Sequence, residues 1–332
     1  MQYIYKNFDG PLYIIVAKTL YNPTAIEKIG LEIPLSPKYF AAHLPMYPLL
    51  IRLFAGVFGY LKSMIFVSIF STILLASFFY FFLIKFRLTK KPLLLVSIFL
   101  FLPKFLVVRS IGAPESLFLL LILISLFFFE RKQYLLAGIS GGLAAATKTP
   151  GTILFGAYCL VFLERWLKIK KIDWRGIAVF LVPLGLLGVF GLHYRQYGDF
   201  LAYFHSGDNI HLVAPFSVFN FQKTWVGTAW LEEIIFYFFL YGLTVYSLKD
   251  SKYRGLFYFS LVFFLAILFV QHRDISRYSL PLWPLACVAF EKFFTSKKYT
   301  VIFIILLAAI YLYSWNFVLF NIMPISNWKP FL

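Results

Sequence analysis

A few acidic and imidazole side chains lie at the edges of apolar stretches, where they could do chemistry at a membrane surface. Asp9, in KNFDGPL, either caps the amides of a helix that begins at the following Gly-Pro pair or acts as a general base toward an acceptor hydroxyl. His43, in AAHLPMYPLL, either sits in the membrane interface or lies beside a site, because Pro45 and Pro48 fix the backbone around it. The residue types alone leave both interpretations open.

Charged residues that could bind an anion follow further along the chain. Glu115, in RSIGAPESLF, opens an apolar run, where the helix dipole favours an acid. Lys148, in AAATKTPGTIL, is a cation between two apolar runs, and such a cation usually has an anionic partner. QHRDISRYSLPLWPL contains His272, Arg273 and Arg277. The arginine fork suits phosphate, so the cluster predicts a site for a lipid phosphate, with simple snorkelling to the surface as the alternative.

Motifs for metal and nucleotide chemistry are missing from the sequence. It has no HExxH, no paired cysteines and no P-loop or dinucleotide fingerprint, which argues against an ATP-driven pump. Asp199 and Asp208 lie nine residues apart beside His205 and His211. These four residues could bind a divalent cation, but an ordinary polar loop is the favoured interpretation, and we predict no metal site.

The composition is that of an integral membrane protein. Of the 332 residues, 61% are hydrophobic and only 14% are charged, whereas soluble domains average about 25% charged residues. The net charge of +17 does not indicate nucleic-acid binding, because the basic residues flank apolar runs and face lipid headgroups.

Hydropathy predicts an all-α polytopic transmembrane bundle of about ten spans in a single domain, residues 1–332. The predicted spans are 61–84, 92–103, 114–129, 133–147, 151–164, 176–194, 229–247, 254–270, 277–291 and 300–320. Residues 1–60 are predicted to form an external loop with two interfacial amphipathic helices, carrying Lys18 and Arg52. The bundle, 61–320, has a second long external loop at 195–228, and 321–332 forms an external tail.

The basic residues identify the cytoplasmic side. Five short loops carry seventeen of them: Lys85, Arg87, Lys90, Lys91, Arg131, Lys132, Arg165, Lys168, Lys170, Lys171, Arg175, Lys249, Lys252, Arg254, Lys292, Lys297 and Lys298. The positive-inside rule places these loops in the cytoplasm. Asp9, His43, Lys148, His205 and Arg277 are therefore expected together on the opposite face.

Several segments in order resemble the GT-C glycosyltransferases, most closely the PIG-V-type mannosyltransferases and their bacterial relatives. The segments are FDGPLYIIVAKTLY, HLPMYPLLIRL, APESLFLLLILISLFFFERKQYLLAGISGGLAAATKTPGTIL and RYSLPLWPL. Family members begin with a transmembrane helix ahead of the acidic loop, whereas eight residues precede Asp9 here. We expect either a start site upstream of the assigned one or a shortened bundle.

The resemblance implies inverting transfer of a sugar, most readily mannose, from a polyprenyl-phosphate donor on the non-cytoplasmic face. It implies that Asp9 is the catalytic acid of the first external loop and that Glu115 and Arg277 match family positions. Lys148 stands where relatives usually have Arg. The acceptor is expected to be a lipid-linked or cell-surface glycan, and the membrane the plasma membrane of a prokaryote or the endoplasmic reticulum of a eukaryote.

Together these observations predict a membrane glycosyltransferase with Asp9 as its catalytic residue. Arg277, Arg273, Lys148, Glu115, His43 and His272 are the predicted residues that bind the donor phosphate or other parts of the substrates. The alternative is a flippase or transporter for polyprenyl-linked glycans, which also needs external cations. The effect of Asp9→Asn distinguishes them, because only the enzyme needs a base.

Overall fold

The computed structural model describes residues 1–7, 9–32, 35–171, 173–208, 211–226, 229 and 231–332. Its α-helices are α1 Gln2–Tyr5, α2 Gly10–Thr19, α3 Pro23–Ile29, α4 Met46–Phe58, α5 Tyr60–Lys85, α6 Pro92–Leu100, α7 Pro103–Arg109, α8 Glu115–Glu130, α9 Tyr134–Thr147, α10 Ile153–Ile169, α11 Leu181–Tyr197, α12 Glu232–Leu248, α13 Arg254–Leu268, α14 Ile275–Tyr278, α15 Trp283–Ala289, α16 Glu291–Phe294 and α17 Lys297–Phe320. Short 3₁₀ helices cover Pro37–Ala42, Thr149–Thr152, Trp174–Phe180, Ser217–Phe219, Leu280–Leu282 and Lys329–Phe331.

The all-α membrane fold is confirmed, whereas the number of about ten spans is not. Among the described residues, three helices are long and apolar enough to cross a bilayer: α5, the segment Trp174–Tyr197 and α17. The pair α6 and α7 would be a fourth, but it bends by 76°. Pro103 begins α7, and proline cannot continue the hydrogen-bond ladder of a preceding helix.

Helix α8 lies at the centre of the bundle. Thirteen of its sixteen residues are buried, as expected of a helix that is apolar on every face. It packs against α5 and α9, and α9 in turn meets α11 through glycines. A Cβ atom on Gly185 would lie 2.3 Å from the carbonyl oxygen of Gly142, so the close approach of these two helices requires glycine.

The five basic loops meet at one end of the bundle. Arg254 Nε lies 2.8 Å from Glu164 Oε2, and the Tyr253 hydroxyl donates to the carbonyl of Phe86 at 3.0 Å. Thr89 donates to Glu291 at 2.6 Å, and the Gly255 amide donates to Glu130. The structure therefore groups the basic loops as the charge pattern predicts, and their cytoplasmic location stays a prediction of the positive-inside rule.

The first predicted interfacial helix is not at the interface. In α2 all residues except Lys18 are buried, because α4, α5 and the C-terminal segment cover it. Its C-terminal carbonyls accept hydrogen bonds from Arg52, at 3.0 Å for Ala17. The interfacial prediction is thus wrong for α2. It remains a prediction for α4, which exposes the apolar side chains of Leu53 and Val57.

The C-terminal segment is a strap rather than a free tail. The amide of Met323 donates to the carbonyl of Lys6 at 2.7 Å, and Asn7 and Ile322 form an isolated antiparallel bridge. Further along, Lys18 Nζ donates to the carbonyl of Pro330 at 2.9 Å. The strap thereby fixes the backbone two residues before Asp9.

Candidate active site

Asp9 faces a cavity instead of capping its helix. It immediately precedes α2, but its side chain makes no capping hydrogen bond. Its Oδ2 instead lies 2.8 Å from Nη1 of Arg277, and the carboxylate is 29% exposed. The capping interpretation therefore fails, and the carboxylate remains accessible to a substrate.

Arg277 joins two carboxylates that come from distant parts of the chain. Its Nη1 binds Asp9, and its Nε lies 2.7 Å from Oε1 of Glu115. Lys148 Nζ reaches the same Glu115 oxygen at 2.8 Å. Such charge-assisted contacts are short and directional, so the four residues form one network, with two positive and two negative charges.

Glu115 is the most buried member of this network. Its side chain is only 2% exposed, and it begins α8. It is not among the residues that line the cavity faced by Asp9, whereas Asp9, Lys148 and Arg277 are. Glu115 thus sits where it can orient the two cations, and contact with a substrate stays a prediction.

A second ion pair on the cavity wall was not foreseen from the sequence. Lys104, at the start of α7, is 5% exposed, and its Nζ lies 2.9 Å from Oδ1 of Asp274. The Lys104 ammonium also lies 4.0 Å from the centre of the Phe317 ring. A lysine just after the Leu102-Pro103 break was the available signal, because a cation inside an apolar run needs a partner.

His272 and Arg273 lie next to this pair. His272 Nδ1 accepts a hydrogen bond from the Asp274 amide at 2.9 Å, and this bond fixes the orientation of the imidazole ring. Arg273 is exposed on the cavity wall. Within the described part of the chain, no ion pair or hydrogen bond holds its guanidinium, which leaves Arg273 available for an anionic ligand.

His43 belongs to the inner wall of the cavity. It is 3% exposed and packs edge-on against Tyr13, with ring centroids 4.9 Å apart. Burial lowers the pKa of His43 to about 4, so the ring is neutral at physiological pH. Its Nδ1 is buried and has no hydrogen-bond partner among the described residues.

The second long loop divides into a structural part and a cavity part. Asp199 binds Lys38 at 2.9 Å and His205 at 2.8 Å, outside the cavity lining. Asp208 instead lines the cavity, and it interacts electrostatically with the Tyr39 hydroxyl. In the described residues no group of three or more His, Cys, Asp or Glu side chains is placed to hold a metal ion.

The cavity has a volume of about 510 Å³, within the range of small-molecule sites. Its charged lining is balanced, with four acids and four bases: Asp9, Asp208, Glu233 and Asp274, and Lys104, Lys148, Arg273 and Arg277. The sequence-predicted residues Asp9, His43, Lys148, His272, Arg273 and Arg277 all line it. Most of the positive charge is already paired, so an added anion must use Arg273 or replace an existing carboxylate partner.

We expect Asp208 to make the binding of an anion in this cavity sensitive to pH. Asp208 lies at the cavity wall, where the surrounding protein partly desolvates its carboxylate. This desolvation and the negative charge of Asp9 raise the pKa of Asp208 to about 6. The carboxylate therefore loses its charge as the pH falls from 7 to 5. We expect an anionic donor to bind roughly fivefold more tightly at pH 5 than at pH 7, because about 1 kcal/mol of like-charge repulsion is removed.

Equilibrium binding of the donor, measured without acceptor, checks this expectation independently of the base chemistry. Asp208→Asn should bind as tightly at pH 7 as the wild type binds at pH 5. Asp199→Asn is the matched control from the same loop and should keep the pH dependence. An unchanged pH dependence in Asp208→Asn would assign the effect to another group.

Comparison with solved structures shows that this fold is shared with a known protein. No protein-family model and no curated protein matches the sequence. The crystal structure of ArnT from Cupriavidus metallidurans bound to undecaprenyl phosphate matches 93% of this chain, with a TM-score of 0.61 and 13% identity. The structure of the same protein in the apo state matches 85%, with a TM-score of 0.54 and 14% identity.

The chain spans 60% and 55% of the lengths of those two ArnT chains. At this level of identity the likeness establishes the fold alone, and membership of the GT-C superfamily stays a prediction from the ordered sequence segments. The PIG-V-type specificity stays a prediction. The protein therefore has the fold of ArnT, with a charged cavity at the end of the bundle away from the basic loops.

Proposed function

We propose that the protein is a membrane-embedded glycosyltransferase that uses a polyprenyl-phosphate sugar as donor. The observation that carries this proposal is the position of Asp9, a partly exposed carboxylate beside cations in a cavity of about 510 Å³. The shared fold adds support, because the ArnT structure contains undecaprenyl phosphate. The cavity has room for polar reactants, while an isoprenoid chain would stay in the lipid.

In the proposed reaction Asp9 is the general base. Its Oδ2 is held by Arg277, which fixes the carboxylate and leaves Oδ1 to accept the proton of an acceptor hydroxyl. The acceptor oxygen forms a bond to the anomeric carbon, and the bond from that carbon to the phosphate oxygen breaks. The electron pair leaves with polyprenyl phosphate, and the single displacement inverts the anomeric configuration.

The leaving phosphate gains negative charge, so it needs a cation as the bond breaks. Arg273 is the best placed, since its guanidinium has no ion-pair partner within the described residues. Arg277 and Lys148 are already bound to carboxylates, and we assign them chiefly to holding Asp9 and shaping the pocket. Mannose as the sugar and a lipid-linked or cell-surface glycan as the acceptor are supported by the ordered sequence segments alone.

A transfer assay with purified protein tests the proposal. Polyprenyl-phosphate mannose, offered with a panel of glycolipid acceptors, should give a glycosylated product and free polyprenyl phosphate. A nucleotide-activated mannose is the matched donor and should give none. Turnover with the nucleotide sugar alone would contradict the proposal.

Replacing Arg273 and Arg277 separately should produce different kinetic defects. Arg273→Ala removes only the proposed phosphate contact, which strengthens as the bond breaks, so we expect the donor KM to rise about tenfold or more and kcat to fall as well. Arg277→Ala releases Asp9 and should lower kcat with a smaller change in the donor KM. Steady-state kinetics with each substrate varied in turn checks this, and a normal donor KM in Arg273→Ala would remove Arg273 from the phosphate site.

A further inference from the structure

A second, larger crevice lies away from the candidate active site. It has a volume of about 1030 Å³ and opens between α10 and the 3₁₀ helix Trp174–Phe180. The two helices meet at Gly176, where a Cβ atom would lie 2.7 Å from the Phe162 ring. Nothing in the proposed transfer reaction uses this space.

The floor of the crevice is apolar. Phe162, Ile177 and Phe180 contribute to it, and Ile177 is 67% exposed. The indoles of Trp166 and Trp174 also line it, and Trp174 is 75% exposed. Tryptophans of this kind mark the headgroup level of a membrane protein, so the crevice is suited to a lipid chain that enters from the bilayer.

The rim of the crevice is cationic. Lys132, Arg165 and Lys171 line it together with one acid, Asp173. Asp173 is already neutralised by Arg175, with Nε 2.9 Å from Oδ1 and Nη2 3.0 Å from Oδ2. Among the described residues, Arg165 donates a hydrogen bond only to the neutral Tyr134 hydroxyl, at 2.8 Å. The rim therefore has a surplus of positive charge above an apolar floor.

The surroundings do not remove this surplus. Glu164, the acid next to Arg165 in the chain, is bound by Lys168 at 2.7 Å and by Arg254 at 2.8 Å. Glu130 accepts a hydrogen bond from the Gly255 amide, and its charge also acts on Arg165. Glu130 therefore offsets only part of the charge of the three rim cations, and the crevice still attracts an anion.

We propose that this crevice binds a phospholipid with an anionic headgroup from the leaflet at the basic end of the bundle. An acyl chain would lie against the apolar floor, and the headgroup phosphate would meet Lys132, Arg165 and Lys171. Basic pockets between transmembrane helices recognise anionic lipids through this combination of apolar surface and cations. The inference is independent of the proposed glycosyltransferase activity.

Quenching of tryptophan fluorescence by lipids with brominated chains tests the proposal in vesicles. The contribution of Trp174 is the difference between the wild type and Trp174→Phe. Brominated phosphatidylglycerol should quench this component at a lower mole fraction than brominated phosphatidylcholine. Lys132→Gln combined with Lys171→Gln should lower the preference for phosphatidylglycerol by roughly fivefold for each lysine removed.

The matched control is Lys297→Gln combined with Lys298→Gln, which removes two charges from the same end of the bundle without touching the crevice. It should keep the preference for phosphatidylglycerol. An equal loss in the control would mean that only general surface charge acts. An absence of preference in the wild type, or an unchanged preference in the crevice variant, would overturn the proposal.

Discussion

Asp9→Asn should abolish sugar transfer while leaving the protein folded. The amide keeps the size of the side chain but cannot accept the proton of the acceptor hydroxyl, and loss of a positioned base typically costs a factor of about 10²–10⁴ in rate. The side chain is partly exposed and makes no capping hydrogen bond, so α2 does not depend on its charge. The rate of transfer under saturating substrates is the measurement.

A control variant and a binding measurement show whether the loss of transfer in Asp9→Asn comes from loss of the base. Asp199→Asn changes an aspartate that pairs with Lys38 and His205 outside the cavity lining, and it should transfer sugar at close to the wild-type rate. Binding of the polyprenyl-phosphate donor to Asp9→Asn should be preserved or strengthened, because a negative charge is removed from the cavity. A fully active Asp9→Asn protein would exclude Asp9 as the base.

Glu115→Gln should be the most destabilising of the site substitutions. Glu115 is buried and is the shared partner of Arg277 and Lys148. Its neutral replacement leaves two cations undercompensated, and breaking a buried ion pair costs about 3–5 kcal/mol. We expect a clear fall in the thermal midpoint of the detergent-solubilised protein, together with loss of transfer, because Arg277 no longer holds Asp9 in place.

Glu164→Gln is the matched control for that experiment. Glu164 also binds two cations, Lys168 and Arg254, but at the basic end of the bundle, where its side chain is 17% exposed. Solvent and headgroups compensate the partners there, so the thermal midpoint should fall much less. An equal fall in the thermal midpoint of the two variants would show that the burial of Glu115 does not add to its contribution to stability.

The sequence was most informative where charge is scarce. An apolar chain places few ionisable residues near the bilayer, so those present at span edges are expected to converge. This reasoning found Asp9, Lys148, Arg273 and Arg277, all of which line one cavity. It also grouped the basic loops, because the positive-inside rule acts on composition and not on packing.

The sequence was less informative where tertiary packing decides. Helix α2 reads as interfacial because Lys18 interrupts its apolar run, yet the strap gives Lys18 the carbonyl of Pro330 and covers the rest. The partner of Lys104 is Asp274, 170 positions away in the chain, and no local pattern links them. The ten-span prediction counted apolar runs, whereas α6 and α7 break at Pro103 and several other apolar helices are shorter than 18 residues.

A donor labelled in two places tests the central claim most directly. Polyprenyl-phosphate mannose carrying tritium in the sugar and ³²P in the phosphate would be supplied to the purified protein in vesicles with acceptor. Transfer at the Asp9 cavity predicts that tritium moves to the acceptor while an equal amount of ³²P remains as polyprenyl phosphate, and that Asp9→Asn stops both changes. If both labels stay joined and only cross the bilayer, the protein is a flippase and the account is wrong.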